Sequence, residues 1–266
     1  MYMKTILFTN ARDEENILEW IKYHKYLGFT TIYIYDHLSF VSINHVVDKN
    51  SISNVIVNRI ETEYIRKTKL MDESFKYASQ NEYDWMLYLD ADEYLILPND
   101  NIIDTFLEKY NTYQQIGINW LMFGSNNHNK TPEGGLLKNY TKCDVIFHSN
   151  IKSFIQPKYV KHVINPHCYK VENSNLSIGI NYKRLDIEKP WCFNLNISAD
   201  NFNNVNAYIA HYIFQSYETY LRRKKNRKRD DTGDDWHWEY NEKTIHNVFN
   251  KIDNFLPKEK LLSMIE

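Results

Sequence analysis

The sequence predicts an α/β fold: a mixed, mainly parallel sheet flanked by helices, followed by a helical C-terminal extension. Two observations predict it. In the first half, short apolar or β-branched strands alternate with amphipathic helical segments, the pattern of a parallel sheet covered by helices. In addition, Trp85-Met86-Leu87-Tyr88-Leu89 is apolar throughout and then meets a block of acids, as a fully buried strand does on reaching the sheet edge. A chain of 266 residues, 43 % of them hydrophobic, suffices for one large core or two modest ones.

The elements follow in order. Residues 5–8 form an apolar first strand. Asp13 can cap a helix over 14–27, along which Ile17, Trp20, Ile21, His24 and Leu27 recur at helical spacing, with Gly28 as its stop. Residues 31–35 are a strand ending at Asp36, and 55–57 a third strand. A helix over 66–79 then leads into the buried strand 85–89. Beyond it, 116–123, 136–140 and 153–160 read as strands of a mixed sheet, divided by polar loops. From Asn203 onward helix returns, over 217–229, 244–250 and 258–265. No repeat or Pro/Gly-rich linker divides the chain. The expected organisation is an α/β domain over 1–215, with 216–266 a helical extension packed on it.

Composition excludes several classes. Lys plus Arg number 32 against 34 Asp plus Glu, so no global pull towards nucleic acid or anionic lipid is expected. Mean hydropathy is -0.59, and no apolar run approaches the roughly 20 residues of a spanning helix. The apolar run at the N-terminus is too short for a signal peptide and reads as a strand, giving a cytoplasmic expectation. Cys143, Cys168 and Cys192 lack a C-x-x-C spacing and read as buried free thiols.

Chemistry concentrates in Leu89-Asp90-Ala91-Asp92-Glu93-Tyr94. Three carboxylates in four positions, at the carboxyl edge of a buried strand, repel one another and need a compensating charge. A divalent cation with oxygen ligands supplies it, and the same cation can neutralise a nucleotide diphosphate. The competing reading is a solvated loop whose acids cap the next element.

Six blocks carry a family resemblance. They are Ala11-Arg12-Asp13-Glu14-Glu15-Asn16-Ile17-Leu18-Glu19-Trp20, continuing to Phe29; Ile32-Tyr33-Ile34-Tyr35-Asp36; the acidic block; Asn119-Trp120-Leu121-Met122-Phe123-Gly124-Ser125; residues 160–167; and Ala210-His211-Tyr212-Ile213-Phe214-Gln215-Ser216. In this order they resemble the GT-A-fold (Rossmann-like) glycosyltransferases of the family 2-like and family 92-like group, over most of residues 4–230. The resemblance implies a transferase using a nucleotide-activated sugar, UDP-linked, with Mn2+ or Mg2+ and a glycan or other hydroxyl acceptor.

On that resemblance Asp90 and Asp92 are the DxD pair. Asp92 is then a direct metal ligand, and Asp90 a contact to ribose or metal-bound water. His211 completes the metal site, with His167 as competitor, and an imidazole ligand favours Mn2+. Arg12, Asp13 and Asp36 stand at strand ends that receive the nucleotide, although Asp13 reads equally as a helix cap. Lys69 can reach uracil or phosphate, or lie on a solvated helix face. Inversion is favoured, which needs a base for the acceptor hydroxyl. The candidates are His128, Glu133 and Asp144. Glu133 is chosen because Gly134-Gly135 permits close approach of a ligand, the alternative being a plain turn residue.

The run from Arg222 to Arg229 places seven cations in eight positions and then meets acids. It reads as a partly self-neutralised helix or as help for the donor diphosphate, and not as a nucleic-acid patch. Trp236-His237-Trp238 is a candidate sugar-stacking platform or lid packing. Two other classes stay open: a nucleotidyltransferase, which would usually carry a Gly-rich loop that this N-terminus lacks before Gly28, and a non-catalytic carbohydrate-binding or scaffold protein derived from a transferase.

Overall fold

The computed structural model describes residues 3–197, 199–225, 227–229, 232–235 and 242–265. The first third runs β1 (Thr5–Ala11), α1 (Ile17–Tyr26), β2 (Thr31–His37), α2 (Ile43–Lys49), β3 (Val55–Ile60), α3 (Lys67–Gln80) and β4 (Trp85–Tyr88). The middle adds β5 (Glu93–Ile96), α4 (Ile103–Glu108), β6 (Gln115–Met122), α5 (Leu136–Asn139), β7 (Lys142–Cys143) and β8 (Ile151–Ile155). Next come β9 (Val160–Asn165), β10 (Cys168–Val171), β11 (Ser177–Gly179) and β12 (Tyr208–His211). The C-terminal part holds α6 (Tyr217–Tyr220), a π-helical turn Leu221–Lys225, α7 (Glu242–Val248), β13 (Ile252–Asp253) and α8 (Leu256–Ile265).

Among the described residues nine strands make one sheet, in the order β3-β2-β1-β4-β8-β6-β12-β5 with β11 beside β6. The β3-β2-β1-β4 half is parallel throughout. The chain builds outward from β1 through β2 to β3, then returns to add β4 on the other side of β1. That reversal opens a crevice at the carboxyl ends of β1 and β4. Successive side chains of β1 serve opposite faces: Leu7 packs with Trp20 and Leu87, while Ile6 and Phe8 join Leu70, Phe75 and Met86. Both faces are dry, which is why strand 85–88 reads as a continuous apolar run.

Several local expectations are corrected by long-range contacts. Helix α1 starts at Ile17, not 14; Asp13 has φ 51° and its carboxylate accepts from the N–H of Phe40 at 2.6 Å, so it caps that turn instead of the helix. Gly28, at φ 96°, does end the helix region. Residues 136–139 are helical and not a strand, because the Glu19 carboxylate accepts from the N–H of Leu136 (2.9 Å) and Leu137 (3.4 Å). The expected strand 153–160 is broken by a 3-10 turn beginning at Pro157. Residues 208–211, expected in a helical region, are a strand held between β5 and β6. No helix among the described residues is long and apolar enough to cross a membrane.

Strand β5 lies at the sheet edge, where unpaired backbone groups need partners. Helix α1 supplies them. Trp20 Nε1 donates to the carbonyl of Glu93 (2.8 Å), Tyr23 Oη donates to that of Leu95 (2.9 Å), and the N–H of Leu95 donates to His24 Nε2 (3.3 Å). His24 Nδ1 donates to the Trp20 carbonyl (2.9 Å), which fixes the tautomer. Burial holds the His24 imidazole neutral, its pKa lowered to about 3. The unfolded chain therefore binds this proton from near pH 6.5 downward while the folded one does not. The stabilisation is full above pH 6.5 and is lost as pH falls towards 3, at about 1.4 kcal/mol per pH unit. Urea unfolding of wild type and His24→Gln across pH 4–7 is expected to show a flatter pH slope in the variant.

Candidate active site

Parallel strands β1, β4, β6 and β12 bring Ala11, Asp90, Met122 and His211 to one edge of the sheet. Strand β8 runs the other way, so its beginning, Lys152, reaches the same edge. Between them opens a cavity of about 780 Å³, whose wall includes Arg12, Asp90, Asp92, Trp120, Lys152 and His211. The antiparallel register of β12 on β5 sets His211 opposite Glu93, one residue from Asp92.

The acids are answered one by one. Lys67, the first residue of α3, pairs with Asp90 Oδ1, and Lys152 Nζ stands 3.1 Å from Asp90 Oδ2. The same ammonium lies 3.3 Å from Glu93 Oε2, which also accepts from the N–H of Asp90 (2.9 Å). Lys152 is 2 % exposed and Glu93 fully buried, so neither charge is diluted by water. Burial pushes the Glu93 carboxyl up to about 7, although Lys152 and Lys67 pull it down. Burial, and then the ammonium of Lys152, hold Lys67 well below the usual lysine range. On the other side, Arg223 Nη2 lies 3.0 Å from Asp92 Oδ2 and 3.3 Å from Glu14 Oε2.

A divalent ion can be tested against this donor set. Asp92 Oδ1 and His211 Nε2 face one another at 3.7 Å. Two ligands at about 2.1 Å from one ion stand roughly 3.0 Å apart when cis and 4.2 Å apart when trans. The 3.7 Å separation lies between the two, so a small side-chain adjustment lets both serve one ion. Both oxygens of Asp90 are on lysines instead, and among the described residues no three His, Cys, Asp or Glu side chains converge as a ligand set. Behind His211, its Nδ1 faces Glu93 Oε1 at 3.9 Å.

The other sequence candidates are distributed as follows. Arg12 lines the cavity; Asp13, Asp36, Lys69 and Glu133 do not. Asp36 is buried and taken by Arg59 (2.8 Å) and the N–H groups of Ser39 and Ile43 (both 3.1 Å). Burial alone would raise its pKa, but these bonds outweigh it and the net shift is downward. Lys69 is exposed: two residues along a helix turn the side chain by about 200°, so Lys67 enters the site and Lys69 leaves it. Glu133 is exposed in its turn, and what approaches Gly135 (φ 86°) is the Glu19 carboxylate, not a ligand.

His128, which bonds the Asn139 carbonyl (3.2 Å), and Asp144, which pairs with Lys251 (2.9 Å), lie off the wall. His167 is on it; its Nδ1 donates to the Ile151 carbonyl (2.9 Å), and burial together with the Lys152 charge lowers its pKa to about 3. Trp236, His237 and Trp238 lie outside the described residues. Lys67 and Lys152 were not singled out from the sequence. The signal for Lys152 is a lone cation inside the buried strand Ile151-Lys152-Ser153-Phe154-Ile155.

The family model for glycosyltransferase family 92 matches residues 3–252. The chain belongs to glycosyltransferase family 92. A Ricinus communis protein named for that family is 25 % identical over 213 residues, 76 % of this chain and 33 % of that protein. One from Oryza sativa is 25 % identical over 65 % of this chain and 30 % of its own length. The chain thus spans about a third of the length of the curated relatives it matches. Among solved structures, HddC from Yersinia pseudotuberculosis superposes with a TM-score of 0.41 at 11 % identity, covering 83 % of this chain and 97 % of that one.

The buried ammonium of Lys152 holds two carboxylates at once, so this family 92 site is costly to discharge. Lys152→Met is expected to destabilise the fold by about 3–5 kcal/mol. Lys152→Met combined with Glu93→Gln should lose less than Lys152→Met alone, as read from urea denaturation midpoints.

Proposed function

We propose that this chain transfers a sugar from a UDP-activated donor to a hydroxyl of a glycan or similar acceptor, with inversion, and that it uses a divalent ion, Mn2+ in preference to Mg2+. The observation that carries the reading is the facing pair Asp92 and His211 on a cavity whose wall also bears Arg12, Lys67, Lys152 and Arg223. Asp92 and His211 would hold the ion, and an imidazole donor suits Mn2+ better than Mg2+. When bound, such an ion supplies Lewis-acid stabilisation of charge on the departing diphosphate.

The chain's own residues do the rest. Lys67 and Lys152 are already fixed by carboxylates, so they need little reorganisation as negative charge builds on the leaving group. Glu93 holds the backbone N–H of Asp90 and faces His211, which keeps the 90–93 turn, and with it Asp92, aimed at the cavity. Arg12, at the end of β1, stands at the switch-point crevice where open α/β sheets take nucleotides. A volume near 780 Å³ suits a nucleotide sugar. An inverting transfer needs a base for the acceptor's proton; Glu133, His128 and Asp144 do not line this cavity.

Assays separate this reading from its rivals. With Mn2+ present, UDP release from at least one UDP-sugar is expected, and chelation should return it to background. Asp92→Ala should cost about 100-fold or more in turnover with an unchanged circular dichroism spectrum. A wild type that is inert on every UDP-sugar but binds glycan would favour the scaffold reading. Turnover of a nucleoside triphosphate with a sugar phosphate would favour nucleotidyl transfer.

A further inference from the structure

We infer that Arg223 is a coupling residue: a resident counter-ion on Asp92 that makes the site take a divalent ion together with a diphosphate and resist the ion alone. The inference rests on the donor and metal reading above, and it adds a coupling between the two ligands.

One guanidinium nitrogen bridges two carboxylates, Asp92 Oδ2 at 3.0 Å and Glu14 Oε2 at 3.3 Å. The Asp92 side chain is 5 % exposed and that of Arg223 20 %, so water screens the pair weakly. The other acids near Asp92 are also answered, Asp90 by Lys67 and Lys152 and Glu93 by Lys152. An ion arriving alone therefore meets no uncompensated carboxylate. It has to share Asp92 with a guanidinium and pays the repulsion between like charges.

A diphosphate changes that balance, because its oxygens offer the guanidinium fork a new bidentate partner and release Asp92. Arg223 need not travel far. The chain after it is tied to the loop after β1 by Arg227, which pairs with Asp13 (3.3 Å) and keeps the guanidinium at the cavity. By linkage, the diphosphate then tightens the ion by the same factor as the ion tightens the diphosphate.

The test is a titration of Mn2+ followed by the paramagnetic resonance of the free ion, with and without saturating UDP, on the full chain. In wild type UDP is expected to tighten Mn2+ by about tenfold or more. Arg223→Gln should bind Mn2+ alone more tightly than wild type and gain about threefold or less from UDP. Arg222→Gln removes the same charge from a neighbouring ion pair and should keep the wild-type coupling.

Equal Mn2+ affinity with and without UDP in wild type would overturn the inference. So would identical behaviour of Arg222→Gln and Arg223→Gln, which would reduce the effect to bulk charge. Failure of the underlying reading looks different: no Mn2+ uptake even with UDP, or undiminished uptake by Asp92→Asn, sinks both. Should Arg223→Gln not fold, Arg223→Lys keeps the charge without the fork. It should still resist the ion alone and gain less from UDP than wild type, and full wild-type coupling in it would overturn the role given to the fork.

Discussion

Three carboxylates at the end of a buried strand cannot stand uncompensated in a medium of low dielectric, and this constraint organises the molecule. Asp90, Asp92 and Glu93 follow directly on β4, and each is met by a cation from another part of the chain: Lys67 from α3, Lys152 from β8, Arg223 from the turn after α6. The pairings hold the acids in place, and Asp90 and Asp92 still line the cavity. A site with charges of both signs, fixed before any ligand arrives, is suited to an anionic leaving group.

Topology brings the parts together. Reversal of strand order at β1 opens the crevice, and the opposite direction of β8 puts Lys152 at the same edge as the carboxyl ends of its neighbours. The β5–β12 register then sets His211 next to the acids. Strand β5 would be an exposed edge were it not for Trp20, Tyr23 and His24, whose side chains complete its backbone hydrogen bonds. Helix α1 thus supports the site from outside it, through packing and not through chemistry.

Much of this was legible in the sequence where the signal is local. The strands at 5–8, 31–35, 55–57 and 85–89, the helix leading into the last of them and the buried face of α1 all follow from periodicity, and the acidic block stands out by composition. Elements set by distant partners were not legible. Residues 136–139 are helical because Glu19 caps them, and 208–211 are extended because two strands claim them. The counter-charges were hidden for the same reason: Lys152 and Arg223 lie 62 and 131 residues from the aspartates they hold. Lys67 and Lys69 are indistinguishable in the sequence, which gives the helix but not its rotation about its axis.

The account stands on a nucleotide diphosphate meeting a divalent ion at Asp92 and His211. A crystal grown with UDP and Mn2+, with anomalous diffraction recorded at the manganese edge, tests it most directly. The expected result is a single strong peak about 2.1–2.3 Å from a carboxylate oxygen of Asp92 and from His211 Nε2, with the diphosphate against it. A diphosphate seated away from these residues, or a cavity that holds UDP with no manganese peak beside Asp92, would contradict it.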